Sequence, residues 1–306
     1  MSKGSLFFGN ASGKLGQVVL STVKGQQIAR AWQPKVANPK TSQQQLQRAK
    51  FANAVKFFKR AQQNLFKFAF EDKRKNESDY NAFMRHNVVS SAVLDRSVYD
   101  NFNYPALADN WLLSFGSLGE ISADNEPSDK ELVQLLTLPL GTGEVANLTI
   151  ASASQAFVDN YKAVNGDFVT LVGIKSKVKS LTQDPMVAPE WHIMQFVVDT
   201  TNTGKLLDYL EKQDAVASTF FSQDGREPAN VIFDYSNDGC SWLGIILSRV
   251  TPNGVKVSTS PLVPNYFAYE IYQNTLELPY RQSALNSWGR SSEPILKGGI
   301  AKSTNV

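Results

Sequence analysis

The chain has 306 residues, of which 42% are hydrophobic, and it carries eighteen Phe, ten Tyr and five Trp. This composition excludes global disorder and is sufficient to bury a substantial core. A single Cys excludes an intramolecular disulfide and a cysteine zinc site. The apolar runs are far shorter than the roughly 18–20 residues of a membrane span, so we expect neither a span nor a signal peptide.

The charges are divided unevenly along the chain. Residues 1–70 contain twelve Lys and Arg but no Asp or Glu. Through residue 75 the sum is fifteen basic minus two acidic residues, or +13, whereas residues 76–306 hold sixteen basic and twenty-six acidic residues, or −10. Such an asymmetry indicates an anionic partner, which could be nucleic acid, an anionic membrane surface or the acidic face of another copy.

The N-terminal part predicts an extended arm. Residues 1–16 contain four Gly and are typical of a flexible, turn-rich leader. Two β-rich runs then flank Lys24 and Gly25, where Gly supplies the positive φ of a tight hairpin turn. This hairpin would place Lys14, Lys24 and Arg30 on an exposed arm.

A long basic amphipathic helix is predicted next, over residues 43–70, with Thr41 or Ser42 as its N-cap. At about 100° per residue, its apolar side chains, including Phe51, share one arc, and its cations share the opposite arc. Lys50 is the clear exception. The cations of the exposed arc are Arg48, Lys56, Lys59, Arg60 and Lys67.

A second helix, residues 79–87, is predicted after a charged turn, with Ser78 or Glu77 at its start. The two helices would form a helical hairpin. Further along, a hairpin is predicted at Thr251–Gly254, because Asn-Gly supplies the turn chemistry. The strand-like runs are 111–115, 145–151, 168–174, 192–199, 231–235, 242–250 and 255–260, and the helical stretches are 154–163 and 205–212.

The predicted fold class is therefore α+β. An N-terminal β-hairpin arm and a helical hairpin precede a mostly antiparallel β-sheet domain with a few helices. The expected divisions are residues 1–110 for the basic arm and helical hairpin, 111–288 for the α+β domain and 289–306 for a flexible tail.

No motif of the chain predicts catalysis. Residues 9–14 resemble a phosphate-binding loop, but the spacing is one residue short and Leu15 stands where a metal-binding hydroxyl is needed. A plain glycine turn explains them better. Cys240 is expected to be a small packed residue rather than a nucleophile.

The two histidines also fit structural roles. His86 lies at the end of the second helix, where a cation is favoured by the helix dipole, and His192 alternates inside an apolar strand. We therefore expect a non-enzymatic protein without cofactor or metal. The alternative is a catalytic site assembled from distant residues such as Glu190, His192 and Asp234, which only a folded pocket could reveal.

The basic N-terminal region has two interpretations. Basic faces are often merely solvated. An ordinary solvated helix mixes signs, however, because opposite charges at i,i+4 stabilise it and like charges destabilise it by a few tenths of a kcal/mol per pair. A chain that keeps so many like charges together is expected to offset their repulsion with an external anion.

Several N-terminal motifs resemble those of a poorly characterised family encoded in bacteriophages and prophages, much of it from Bacteroidota. That family reads G-K-x-G, then a cationic hairpin ending in Arg, then N-P-x-T-x-x-Q-x-x-x-R-x-x-F at the start of a helix, and later an Asn-x-Phe segment. The matching residues here are Gly13, Lys14, Gly16, Arg30, Asn38, Pro39, Thr41, Gln44, Arg48, Phe51, Asn81, Phe83 and Asn87.

The resemblance covers about residues 13–90 and provides no catalytic residues. It implies a phage-encoded protein that is a structural component of the particle. In the motif itself, Pro39 and Thr41 are expected to fix the start of the helix, and Phe51 to anchor it.

These observations lead to a non-enzymatic virion protein as the first hypothesis. Its basic N-terminal region would bind packaged nucleic acid without sequence preference, or an acidic neighbouring subunit, and copies would associate as a homo-oligomer without a membrane. The alternative is a soluble nucleic-acid-binding accessory or regulatory protein outside the particle, in which Phe7, Phe8 and Trp32 stack on bases. The candidate nucleic-acid contacts are Lys14, Lys24, Arg30, Arg48, Lys56, Lys59, Arg60 and Lys67.

Overall fold

The architecture is α+β, as the sequence predicts. The computed structural model describes residues 12–23, 25–34, 41–61, 65–89, 91, 111–121, 124–125, 136–137, 139–142, 144–176, 190–223, 230–233 and 240–264. The chain forms two compact units, residues 1–40 and 41–306. The domain boundary expected at residue 110 and the tail expected at 289–306 lie outside the described residues.

The first unit contains a three-stranded antiparallel sheet. Its strands are β1 (Gly13–Leu15), β2 (Val18–Val23) and β3 (Gln26–Ala31), in the order β1-β2-β3. The predicted hairpin is confirmed, and Gly25 makes its turn with a φ of 80°. The prediction of a flexible leader over residues 1–16 is wrong for its last residues. Gly16, with a φ of 59°, turns the chain so that residues 13–15 pair with β2 as a third strand.

The second unit begins with the predicted helical hairpin. Helix α1 (Ser42–Arg60) starts at Thr41, whose hydroxyl accepts a hydrogen bond from the N–H of Gln44 at 3.3 Å. Helix α2 (Asp79–Asn87) is capped in the same way by Ser78. These side-chain oxygens satisfy N–H groups that have no partner within the helix.

The predicted end of the first helix is wrong, because α1 ends ten residues before Phe70. Phe58 and Phe66 stack with their ring centroids 5.2 Å apart. In a continuous helix, two residues at this spacing would be about 12 Å apart along the axis. The chain turns back after α1, and this turn lets both rings enter one aromatic cluster.

Phe51 does not anchor the helix, because its side chain is 49% exposed. Polar residues of α1 make tertiary contacts instead. Asn53 donates to the hydroxyl of Ser91 at 3.1 Å, and the exceptional Lys50 donates to the carbonyl of Val89. The buried residues of α1 at i,i+4 spacing are Gln45, Ala49, Asn53 and Phe57, followed by Ala61 at its C-cap.

The remaining strands are short or belong to one large sheet. In chain order they are β4 (Trp111–Ser114), β5 (Asp124–Asn125), β6 (Leu136–Thr137), β7 (Pro139–Thr142), β8 (Phe168–Ser176), β9 (Glu190–Val197), β10 (Phe221–Gln223), β11 (Asn230–Phe233), β12 (Cys240–Thr251), β13 (Gly254–Val257) and β14 (Ser260–Pro264). The large sheet is antiparallel, in the order β4-β14-β12-β8-β9, with β13 also paired to β12. The hairpin predicted at Thr251–Gly254 is confirmed.

Two further helices, α3 (Ile150–Tyr161) and α4 (Leu206–Glu211), overlap the predicted helical stretches 154–163 and 205–212. The strand predicted over 145–151 is wrong. Residues 145–147 form a single 3-10 turn, and Thr149 then caps α3 in a reciprocal capping box with Ser152. The cap satisfies the first N–H groups of the helix, which a strand at this position would not do.

The centre of the large sheet is buried on both faces. Along β8, Val169 and Leu171 belong to the core formed with α3 and α4, whereas Val172 and Ile174 belong to the core formed with α1 and α2. All four are fully buried. This explains why β8 is a nearly continuous apolar run rather than an alternating one.

A side-chain amide pairs with one backbone residue at each edge of the large sheet. The buried Asn87 accepts from the N–H of Leu112 at 2.7 Å and donates to its carbonyl at 3.0 Å, beside β4. On the opposite edge, Gln213 makes the same pair of bonds with the backbone of Gln195, at 2.9 and 2.7 Å. At that one residue, each amide makes the bonds that a neighbouring strand would make.

An ion-pair network holds the turn between the helices. The Arg85 guanidinium contacts Asp72 at 2.8 Å and Glu77 at 3.1 Å. Its hydrogen bonds lower the pKa of both carboxyl groups below their ordinary values. The two carboxylates in turn raise the pKa of Arg85.

We predict that Phe57→Ala lowers the free energy of unfolding by about 3–5 kcal/mol, because Phe57 is fully buried and stacks on Trp111 at 4.1 Å. Phe51→Ala, on the exposed side of the same helix, should change it by less than about 1 kcal/mol. Urea unfolding of both variants measures the difference. Equal losses would contradict this assignment of the buried face.

A second prediction concerns pH. A lowered carboxyl pKa stabilises the fold above the ordinary values, 3.8 for Asp72 and 4.5 for Glu77, and this stabilisation is lost as the pH falls through the lower values. Arg85→Gln should therefore be less stable than wild type at pH 7, and the gap should shrink towards pH 3. Urea unfolding at both pH values tests this, and a gap of constant size would refute it.

Candidate nucleic-acid interface

The register of the arm places two cations in one row. Lys14 of β1 lies opposite Val19 of β2, and Val19 lies opposite Arg30 of β3. Side chains in one such row share a face of the sheet, so Lys14 and Arg30 flank Val19. Their backbones are separated by two strand spacings, roughly 9–10 Å. Both residues are exposed.

Trp32 continues the same face of the arm. It follows β3 two positions after Arg30, and its N–H donates to the carbonyl of Gln17 at 2.7 Å. The ammonium group of Lys14 lies 3.0 Å from the Trp32 ring centroid, within the range of a cation–π interaction. The indole is 41% exposed. Cation and aromatic ring are thus combined at one exposed position.

The two faces of the arm differ in charge. The face with the cations also exposes Val23 and Ile28, at 50% and 42%. The described residues of the opposite face carry no charge, and they include Leu15, Val18, Leu20, Ala29 and Ala31. Lys24, the third cation predicted for the arm, lies outside the described residues.

Helix α1 contributes cations of two kinds. Arg48, Lys59 and Arg60 are exposed, as predicted, whereas Lys56 is half-buried. Arg48, Lys56 and Arg60 each interact with another group of the protein. Lys59 forms no ion pair with any residue that the structure describes. It is therefore the clearest accessible cation of the helix.

Lys67 was predicted on the exposed arc of the helix, but it lies in the turn that follows α1. The next residue, Phe68, has a φ of 64° and is 47% exposed. A left-handed conformation is costly for an aromatic residue. Lys67 and Lys73 place their ammonium groups 5.6 and 5.5 Å from the Phe68 ring centroid.

Asp79 holds this turn in place. Its carboxylate accepts from the N–H of Phe68 at 3.3 Å and forms an ion pair with Lys73 at 2.7 Å. Sequence reasoning missed the turn, because the spacing of Leu65, Phe66 and Ala69 is also that of an amphipathic helix. Only the turn itself exposes Phe68.

The ion pairs between described residues involve cations other than the predicted nucleic-acid contacts. Between described residues, carboxylates pair with Lys73, Arg85 and Arg249, and the contact with Asp167 raises the pKa of Arg249. Among the predicted contacts, Arg30, Lys59 and Lys67 form no ion pair within the described ranges. The positive charge of these residues is therefore not neutralised by a carboxylate of that part of the protein.

Both histidines make local structural contacts. His86 stacks between the rings of Phe70 and Phe115, and its Nε2 lies 3.1 Å from the carboxylate of Asp72. The Nδ1 atom of His192 lies 2.5 Å from Asp214. The described residues contain no group of three or more His, Cys, Asp or Glu that could hold a metal ion.

The comparisons with known proteins assign no activity. A family described as "Family of unknown function (DUF6266)" matches residues 10–154, which are 145 of the 306 residues. The match includes the arm, α1, α2 and β4. No curated protein and no solved structure gives a significant match. Among the described residues, no helix is long and apolar enough to cross a membrane.

We predict that Trp32→Ala weakens binding of the full chain to single-stranded DNA by about 5-fold to 100-fold, since stacking on one base contributes roughly 1–3 kcal/mol. Phe51→Ala removes an exposed aromatic ring from the second unit and should leave the affinity unchanged. Fluorescence anisotropy with a labelled oligonucleotide measures both. Equal affinities of wild type and Trp32→Ala would show that the indole makes no contact.

Proposed function

We propose that the chain is a non-enzymatic structural protein of a bacteriophage particle whose N-terminal region binds packaged nucleic acid. The observation that supports this most is the exposed row of Lys14 and Arg30 beside Trp32, in a region of seventy residues without an acid. Lys59 of the second unit adds an exposed cation that no described carboxylate neutralises.

The chemistry of the arm fits a phosphate backbone. Lys14 and Arg30 can each neutralise a phosphate and release condensed counterions. Trp32 offers a ring on which any base can stack. Phosphate contacts and stacking of this kind carry no sequence information. The expected binding is therefore non-specific and strongly dependent on salt.

An acidic neighbouring subunit is the second candidate partner. The exposed side chains of Val23 and Ile28 favour it, because contiguous apolar surface usually marks a protein interface. Residues 76–306 carry a charge of −10, which a basic arm of another copy would complement. Salt would weaken this contact as well, so the salt dependence does not distinguish the two partners. Direct binding to DNA, and the oligomeric mass of the protein without DNA, distinguish them.

The particle role rests on the resemblance of residues 13–90 to phage-encoded proteins. A nucleic-acid-binding accessory protein that stays outside the particle would have the same arm. Quantitative mass spectrometry of purified particles distinguishes them. A fixed copy number per particle supports the structural role, and absence of the chain from particles refutes it.

The binding experiment uses the full chain and a labelled single-stranded oligonucleotide, with affinity measured between 50 and 200 mM NaCl. Each phosphate contact contributes about −0.7 to the slope of log affinity against log salt. The double variant Lys14→Gln/Arg30→Gln should therefore reduce the slope by about 1.4. The matched control Lys212→Gln/Lys256→Gln removes two exposed cations from the second unit and should leave the slope unchanged.

Two results would refute nucleic-acid binding by the arm. One is an affinity that does not change with salt, or no affinity at all. The other is an equal change of slope in both double variants, because the arm would then make no special contribution. If the wild type fails to bind DNA but forms oligomers that Lys14→Gln/Arg30→Gln dissociates, the partner is another copy.

A further inference from the structure

One face of the large sheet is only partly covered. Beside α1 and α2, Val172 and Trp242 are buried against the helices. Further along the same face, Val197 is 38% exposed and Val250 is 69% exposed. The register places these residues on one face. Val197 lies opposite Phe168, four positions before Val172 on β8, and Val250 lies eight positions after Trp242 on β12.

A recess of about 280 Å³ lies at the border between the covered and the open part of this face. Its walls come from the turn after α1 and from strands β8, β9, β12 and β13. The described residues that line it are Leu65, Lys67, Ala69, Thr170, Ile193, Gln195, Ile246, Ser248, Val255 and Val257. At about 30 Å³ for each water molecule, this volume corresponds to about nine waters.

The polar groups of the recess are few. Thr170 accepts a hydrogen bond from Gln195 at 3.0 Å, which leaves its hydroxyl hydrogen free to donate. Ser248 adds a second hydroxyl. Isoleucine, valine and leucine side chains form most of the remaining wall. A small apolar wall with a few polar groups is typical of a small-molecule site.

Lys67 is the one charged side chain among the described lining residues. It forms no ion pair with them or with any other described residue. Glu71, four positions later, directs its carboxylate to the N–H groups of Ser117 and Val257 instead. The costly left-handed conformation of Phe68 belongs to the same turn that holds Lys67 beside the recess.

We propose that this recess binds a monoanionic organic acid, with its apolar body against the sheet and its carboxylate at Lys67. One ammonium group balances one negative charge. A phosphate group, with about two charges, usually requires several cations or a fork of donors, which the described lining lacks. The hydroxyl groups of Thr170 and Ser248 can donate to the carboxylate or to polar groups near it.

This binding site is independent of nucleic-acid binding by the arm. It lies wholly in the second unit and involves neither Lys14 nor Arg30. Either proposal can fail while the other holds. The carboxylate itself could belong to a free acid or to the C-terminus of a peptide, and these sources share the same chemistry.

Isothermal titration calorimetry of the full chain with octanoate and 1-octanol tests the site. The two probes have the same apolar body but differ in charge. We expect wild type to bind both saturably at one site and to prefer octanoate about fivefold, the upper range for an exposed ion pair. Lys67→Met should abolish the preference and retain octanol binding, whereas Lys59→Met, an exposed lysine outside the recess, should keep the preference.

Ser248→Leu fills the recess and should weaken both probes at least tenfold. Circular dichroism checks that Ser248→Leu is folded. If Ser248→Leu does not fold, the result for Lys67→Met alone tests the proposed site. A tripeptide Leu-Val-Leu with a free or an amidated C-terminus then identifies the source: preference for the free form indicates a peptide, and no binding of either indicates a free acid. The proposal is overturned if wild type binds neither octanoate nor octanol saturably, or if Lys67→Met keeps the preference for octanoate.

Discussion

The structure depends on burying the centre of one antiparallel sheet on both of its faces. Strands that are buried on both faces cannot use charged side chains, and unpaired backbone groups at the sheet edges would attract other strands. Helices cover the centre of the sheet on both faces. At each edge one side-chain amide pairs with one strand residue, Asn87 with Leu112 and Gln213 with Gln195. The stacking of Phe57 on Trp111 attaches the helical hairpin to this sheet.

The ion pairs between described residues all lie outside the first seventy residues. The ion pairs of Arg85 fix the turn between α1 and α2, and the ion pair of Arg249 joins β12 to Asp167 immediately before β8. The core that α1 buries is aromatic and amide-rich, so the fold requires no acid near the lysines of that helix. Among the cations of the first seventy residues, Lys50 donates to the carbonyl of Val89, and Arg48, Lys56 and Arg60 contact other groups of the protein. No described carboxylate pairs with Arg30, Lys59 or Lys67. We propose that an external anion neutralises the remaining positive charge.

The arm and the recess suggest two kinds of recognition in one chain. The arm presents widely spaced cations and an indole, which suit a long and repetitive polyanion. The recess presents one lysine beside an aliphatic wall, which suits a small ligand with one charge. A particle protein with both could hold the genome and respond to a small molecule or to the terminus of a neighbouring chain.

Local signals in the sequence predicted much of the fold. The turns at Gly25 and Thr251–Gly254 and the caps at Thr41 and Ser78 depend on residues within four positions of one another, so the sequence specifies them directly. The end of α1 does not depend on local residues. Phe66 leaves the helix to join rings from α2 and β4, and no local pattern distinguishes this turn from a continued helix.

The candidate site was predicted in part for the same reason. The register of β2 and β3 follows from the turn at Gly25, so Arg30 and Trp32 follow from one hairpin. The position of Lys14 opposite Val19 depends on the turn at Gly16, which was predicted as part of a leader. Periodicity alone placed Phe51 inside and ignored that Gln45 and Asn53 are buried. The recess forms between a turn and four strands that are distant in the chain, and no sequence pattern brings Lys67 to Thr170 and Ser248.

The proposed function requires that the acid-free N-terminal region contacts nucleic acid. Photo-cross-linking of the full chain to a bromouracil-substituted single-stranded oligonucleotide, followed by mass-spectrometric mapping, locates such contacts residue by residue. We expect the main cross-linked peptides to come from residues 12–34, with Trp32 as the principal site. Cross-links confined to residues 144–264, or none at all under conditions where the protein is folded, would contradict it.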